Sequence, residues 1–234
     1  GLNLKNRKII ISGASDGIGR ALALTFAKEG AQVAVCARNQ GPLDALSAEI
    51  EGEGHLFFSA DLGNAEGVQA FHENAMNQLG HIDVLINNVG AILKLANFYE
   101  LTDQDWEDSF QINLMSAVRL TRLSIPALKQ SACAAIINIS SIAAASPQEV
   151  FPHYSAMKAG LSNFTVSLAK TLAPDKIRVN AISPGPVWSK SWDDEIQNIG
   201  TDREQAKKEI MSQTGTTIPL QRMGMPEDLT GLAL

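Results

Sequence analysis

Short runs of apolar residues, each followed by a stretch with helical spacing, leave this chain few ways to fold. Lys8-Ile9-Ile10-Ile11-Ser12, Val33-Ala34-Val35-Cys36-Ala37, Leu56-Phe57-Phe58, Ile82-Asp83-Val84-Leu85-Ile86, Ala134-Ala135-Ile136-Ile137-Asn138-Ile139 and the run from Ile177 to Ile182 read as strands. Between them, helical periodicity is expected from Gly17 to Lys28, around Leu43 to Ile50, from Ala65 to Leu79 and from Ser155 to Leu172. A capping box, Thr102-x-x-Asp105, opens a further helical region that runs with a break to Lys129. Strands apolar along their whole length must be covered on both faces, and parallel neighbours need helical crossovers. The expectation is therefore an α/β fold: one doubly wound parallel sheet of Rossmann-like type with helices on both faces.

At 234 residues the chain fits one continuous domain, 1–234. Pro184-Gly185-Pro186 ends the sixth run, and the polar segment at about 189–215 then breaks the rhythm. With Gly200 as a hinge and a second capping box at Thr201-x-x-Glu204, it reads as a short lid; the alternative is an ordinary surface excursion. A net charge of -6 and the absence of a Lys/Arg run argue against a nucleic-acid partner. No apolar run approaches the ~20 residues of a membrane span. Cys36 and Cys133 each lie in an apolar run read as a buried strand, and the four histidines are scattered, so no metal site is expected. Buried free thiols fit a reducing, cytoplasmic location.

Gly13-Ala14-Ser15-Asp16-Gly17-Ile18-Gly19 joins the first strand to the first helix. A glycine-rich turn there brings backbone N–H groups and a helix N-terminus against a pyrophosphate, although such a turn also occurs without a ligand. The second strand ends in Ala37-Arg38-Asn39, with no carboxylate to hold the ribose 2′-hydroxyl of NAD. Arg38 favours the 2′-phosphate of NADP, while Asp16 in the glycine turn opposes it, so NADP(H) is preferred and NAD(H) stays possible. Asp61-Leu62 and Asn87-Asn88-Val89-Gly90 end the third and fourth strands at the carboxyl edge, where such sheets bind ligands.

Tyr154 and Lys158 stand at i and i+4, on one face of a helix. A free phenol has a pKa of about 10 and is a poor base at neutral pH. A cation ~5 Å away is worth ~3 kcal/mol at an effective dielectric of ~20, which predicts a phenol pKa lowered by about two units.

With these motifs in order, the sequence resembles the short-chain dehydrogenase/reductase family from about Lys8 to its last residues. The Gly13 to Gly19 segment is similar to that family's cofactor turn, Asn87-Asn88-Val89-Gly90 to its N-N-A-G motif, Pro184-Gly185 to its P-G motif, and Tyr154 and Lys158 to its active-site pair. The resemblance implies that Tyr154 is the general acid for ketone reduction and that Ser141, thirteen positions earlier, hydrogen-bonds the substrate oxygen. It implies that Lys158 holds the nicotinamide ribose and that Asn113 positions a water for proton relay. Asp61 is expected to meet the adenine, and Val187 and Ser189 the nicotinamide carboxamide. Substrate contacts are expected from Ser141, Tyr154, Ile142 and Trp188, with Trp192 and His153 completing an apolar wall.

Family members usually continue after Pro226-Glu227-Asp228 through a helix to a last strand, and this sequence stops at Leu234. Either that strand lies outside the sequence or the sheet lacks it. The segment from Gln148 to His153 does not resemble carrier-protein reductases, which counts against 3-oxoacyl thioester reduction. The implied activity is NADP-dependent interconversion of a ketone and a secondary alcohol by direct hydride transfer, without a metal. The implied partner is a small carbonyl or alcohol, and the implied assembly a homo-oligomer, dimer or tetramer. A non-catalytic dinucleotide-binding sensor or scaffold is the rival from another class.

Overall fold

The computed structural model describes residues 4–189, 192 and 203–234. Its sheet holds the strands β1 (Lys8–Ser12), β2 (Gln32–Ala37), β3 (Leu56–Ser59), β4 (Val84–Asn87), β5 (Ala135–Ile139) and β6 (Arg178–Ile182). They are parallel throughout and ordered β3-β2-β1-β4-β5-β6. The helices are α1 (Gly17–Lys28), α2 (Gln40–Glu49), α3 (Ala65–Leu79), α4 (Asp103–Phe110), α5 (Ser116–Leu128), α6 (Pro152–Leu172), α7 (Arg203–Thr216) and α8 (Glu227–Ala233).

The period of two along each strand divides the core. Ile9, Ile11, Val33, Val35, Val84, Ile86, Ile137 and Ile139 pack under α1, α2 and α8. Their alternates Ile10, Ala34, Cys36, Leu85 and Ile136 pack under α3, α5 and α6. Both faces are covered, as the uninterrupted apolar runs require. A third cluster of Trp188, Ala206 and Met223, joined by Trp192, Ile210, Met211 and Met225, anchors α7. That helix has fourteen residues and is longer than the short helix expected; Gly200 and Thr201, the expected hinge and cap, lie outside the described residues.

Several local expectations change. Cys133 is not in a strand but in the turn before β5, half-buried, its Sγ 3.6 Å from both Ser131 Oγ and Asp83 Oδ1. Helix α6 begins at Pro152 rather than Ser155, because proline at the first helical position has its φ already set and needs no N–H partner there. The break in the long helical region is a π turn over Gln111–Met115, between α4 and α5, with the capping box at Thr102 and Asp105 in place.

Strand β4 starts at Val84 instead of Ile82 because Asp83 is drawn into a polar knot at the amino edge of the sheet. The buried Asp83 carboxylate accepts from Lys8 N at 2.9 Å and Ser131 Oγ at 2.6 Å, with Arg7 at 3.6 Å and His81 at 3.5 Å. Burial pushes this carboxyl up, but the hydrogen bonds from Ser131 and Lys8 and the charges of His81 and Arg7 outweigh it, leaving it below the usual range. A depressed carboxyl stabilises the fold above its unfolded pKa and ceases to do so as pH falls through its folded one. Asp83→Ala is therefore expected to cost about 3 kcal/mol at pH 7, read as urea unfolding. The gap to the parent should narrow toward pH 3, and an equal gap at both pH values would contradict this account.

Candidate active site

The strand order reverses between β1 and β4, and a cleft of about 380 Å³ opens over the carboxyl ends there. Gly13 (φ +73°) and Gly17 (φ +54°) take left-handed backbone conformations that turn the chain from β1 into α1. Gly19 lies beneath that turn, where a Cβ would overlap the Gly13 carbonyl oxygen and the Asn88 side-chain amide. Asn88 Nδ2 donates to Gly13 O at 2.7 Å, and Asn88 N and Val89 N donate to Ser12 Oγ at 2.9 and 3.2 Å. The two loops that flank the switch point are thus locked to one another. Asp16 is the N-cap of α1 but its side chain does not cap, so the first N–H groups of this helix face the cleft without a side-chain acceptor from the cap.

From Arg38 after β2 to Ser141 after β5 is three strand spacings, roughly 14 Å. The cleft wall runs over that whole distance. An open, glycine-floored cleft of this length, with a helix N-terminus at its middle, fits an extended dinucleotide. Ser15, Asp16, Gly17, Ile18 and Arg38 would hold one end and Ser141, Tyr154 and Lys158 the other.

At the second end, Lys158 is buried and its Nζ donates to Ile139 O at 2.8 Å. It stands 5.7 Å from the centre of the Tyr154 ring. Gly90 makes room for it: a Cβ there would come 2.7 Å from Nζ. Ser141 Oγ accepts from Ala143 N at 3.1 Å and hydrogen-bonds Tyr154. The phenol pKa, expected to be lowered by Lys158, is instead raised: burial of the ring pushes it up, and the bond to Ser141 draws it only part of the way back. Burial also brings Lys158 down to about 8. Desolvation disfavours charge on both groups and is the stronger influence in the protein alone.

Most of the expected residues line the cleft: Gly13, Ser15, Asp16, Gly17, Ile18, Arg38, Leu62, Asn88, Gly90, Ser141, Tyr154, Lys158, Pro184, Gly185, Val187, Trp188 and Ser189. The others are placed elsewhere. Gly19 supports the turn from below. Asn39 starts α2 as an exposed residue without a capping bond. Asp61 turns its carboxylate to Gly63 N at 2.9 Å and Asn64 Nδ2 at 3.3 Å, shaping the approach to α3, while its neighbours Ala60 and Leu62 form the wall.

Asn113 stands fully buried behind the wall. Its Oδ1 accepts from Ala91 N and its Nδ2 donates to Ala91 O, both at 2.9 Å, so its amide holds the loop after β4 and is not aimed into the cleft. Ile142 is not part of the wall; it is half exposed, directly after Ser141. His153 is buried edge-on against Trp106, ring centres 6.2 Å apart, and is not a pocket residue; burial pushes its pKa down and keeps it neutral. Trp188 lines the cleft but sends most of its ring into the cluster under α7, stacked on Trp192 at 6.3 Å.

Sequence reasoning missed Ala37, Ala60, Ala91, Leu93 and Ile112 in the wall. The carboxyl-edge rule that selected Arg38 and Leu62 also points to Ala37 and Ala60. Ile112 is turned inward by the π turn, which leaves no clear mark in the sequence.

The fold and this site define a nucleotide-binding α/β oxidoreductase in which a phenol and an ammonium share one helix face. The comparisons with known proteins name the group: the model of the family described as short chain dehydrogenase matches residues 7–199, and the chain belongs to that family. It is 32% identical over 233 residues to the uncharacterized oxidoreductase YvrD of Bacillus subtilis (strain 168), covering 97% of this chain and 88% of that one. L-sorbose reductase from Gluconobacter frateurii, solved with NADPH and L-sorbose, superposes with a TM-score of 0.89 at 30% identity, covering 98% and 89% of the two chains. The 3-ketoacyl-(acyl-carrier-protein) reductase from Brucella melitensis, solved with NADH, gives 0.85 at 28% identity, covering 99% and 90%. The protein is an oxidoreductase of this family acting on CH–OH or C=O groups.

Gly19→Ala tests the cleft floor. The added methyl has only the Gly13 backbone and the Asn88 amide to meet, so the turn must open. The variant should stay folded by circular dichroism and bind NADPH at least about tenfold more weakly, a modest loss for a displaced phosphate cradle. Unchanged binding would show that the turn does not touch the nucleotide.

Proposed function

We propose that this enzyme interconverts a ketone and a secondary alcohol with NADP(H), and that Tyr154 moves the proton. One observation carries the reading: Ser141, Tyr154 and the buried Lys158 meet at one end of the cleft, with Arg38 at the other. A sensor or scaffold has no use for that juxtaposition. The solved relatives that hold NADPH and NADH support a nicotinamide dinucleotide, and Arg38 together with the lack of a carboxylate after β2 supports NADP.

When bound, the nicotinamide exchanges a hydride with the substrate carbon through its C4. In the reductive direction Tyr154 gives its hydroxyl proton to the carbonyl oxygen as that carbon is reduced. Because Ser141 Oγ already accepts the Ala143 N–H, its own proton is left to donate, to Tyr154 or to the same oxygen. Lys158, with one proton committed to Ile139 O, has others for a ribose hydroxyl, and its charge supports the phenolate left behind. Asn113 acts behind them as a positioning residue, holding Ala91 and so the glycine beside Lys158. The net reaction is ketone, NADPH and a proton to alcohol and NADP+.

Tyr154→Phe should lower kcat for ketone reduction by about 10³-fold and leave the NADPH Kd within about threefold. A variant that keeps the parental rate removes Tyr154 from the mechanism. Arg38→Ala should weaken NADPH binding far more than NADH binding; a parent that binds NADH more tightly than NADPH refutes the cofactor reading.

At pH 7 both Tyr154 and Lys158 carry their protons, the phenol because its pKa is raised and the amine because about 8 is still above pH 7. The rate of reduction should therefore be level between about pH 6 and 7.5 and decline above about 8 as Lys158 loses its charge. A decline that begins below pH 7 would contradict this assignment.

A further inference from the structure

We infer that the substrate presents its ketone on a hydrocarbon body and not on a polyhydroxylated one, an inference that rests on the oxidoreductase reading above. Seven of the ten large apolar side chains exposed among the described residues lie on the two loops that follow β4 and β5, from Ile92 to Tyr99 and at Ile142 and Val150. The loops are stitched together by Ala96 N donating to Val150 O at 2.8 Å. They are continuous with the reacting end of the cleft: Leu93, 48% exposed, lines it, and Ile142, 49% exposed, follows Ser141 directly. Exposed apolar side chains gathered in this way mark a place that something apolar covers.

The polar groups of this end are already engaged. The Asn88 amide is bonded to Gly13 and the Asn113 amide to Ala91. Ser140 Oγ bonds to Lys158 O and Ser162 Oγ, and Lys158 Nζ to Ile139 O. Among the side chains of β4, β5, α6 and their loops that line the cleft, this leaves the Ser141 and Tyr154 hydroxyls for a substrate, and a carbonyl oxygen occupies both. A ketose carries a hydroxyl on each remaining carbon, and each needs a partner once water leaves. Leu93, Ile112 and Ile142 offer none. They offer apolar area instead, where each buried methylene tightens binding about fourfold. The likeness to a sorbose reductase does not weigh against this, because a shared fold leaves the site free to differ.

The test is steady-state reduction by the purified full chain, with NADPH and with NADH, of butanone, hexanone and octanone, all methyl ketones, and of L-sorbose and D-fructose. The expected result is a kcat/KM that climbs roughly threefold to fourfold per methylene, with both ketoses at least about 100-fold below octanone. Leu93→Ser should lower the ratio of octanone to butanone kcat/KM at least about fivefold, with its folding checked by thermal melting and NADPH binding. A flat ketone series, or a ketose used as well as octanone, overturns the inference. Ketose reduction that still requires Tyr154 would overturn it alone and leave the reaction class standing. If no ketone is reduced with either nucleotide, this inference and the reading beneath it fall together.

Discussion

The Lys158 ammonium is held where three parts of the chain meet, and the site depends on its being held there. It projects from α6, donates to the last carbonyl of β5 and fills the space left by Gly90 after β4. Burial makes its charge costly, which is why its pKa falls to about 8 instead of staying near that of a surface lysine. A group so placed needs its neighbours fixed to a few tenths of an ångström, and the structure supplies that fixing from below. Asn87 Nδ2 donates to Thr121 Oγ1 of α5 at 2.9 Å and to Asn138 Oδ1 of β5 at 2.8 Å; Asn138 Nδ2 donates in turn to Thr165 Oγ1 of α6 at 2.8 Å. A buried chain of amides and hydroxyls with few open valences rigidifies the elements it joins. This one sets α6 against the sheet, and with it the height of Tyr154 and Lys158 above the strand ends.

The sheet order makes such an arrangement possible in one place only. Between β1 and β4 the crossovers run in opposite directions, so the loops that follow these strands part and leave the cleft. The parting must still be bridged, and Asn88 does so by bonding the glycine turn across the gap. The absence of a side chain at Gly13, Gly19 and Gly90 is as important here as any side chain present, since each lets backbone or a functional group approach more closely than a Cβ permits.

Much of this was legible in the sequence, for definable reasons. Continuous apolar runs announced a sheet buried on both sides, and helical periodicity placed the ends of α1 and α3 where the structure has them, with Asn64 and Gly80 capping α3. Cleft residues next to strand ends, such as Arg38 and Leu62, followed from the carboxyl-edge rule. What was not legible depends on direction or on solvation. Spacing places Asn113 on a helix but cannot show that a π turn aims its amide at Ala91. Spacing puts Lys158 beside Tyr154, and the Coulomb estimate then assumes solvent that the fold removes, so the predicted fall in the phenol pKa became a rise. His153 was misread likewise: it stands next to Tyr154 in sequence, but its ring is buried against Trp106 and away from the cleft.

The same division explains why reaction class is easier to infer here than substrate. The groups that perform the chemistry sit on elements whose positions are fixed by sheet register and buried amides. The groups that meet the rest of the substrate sit farther along the loops after β4 and β5, beyond the stretch that Ser12, Gly13 and Asn113 hold; there the Ala96 to Val150 bond joins one loop to the other and the Lys94–Asp105 ion pair reaches α4. Exposed side chains on such loops can be exchanged at little cost to folding. An apolar rim on a framework shared with a sorbose reductase is then no contradiction, because stability acts on the framework and recognition on the loops.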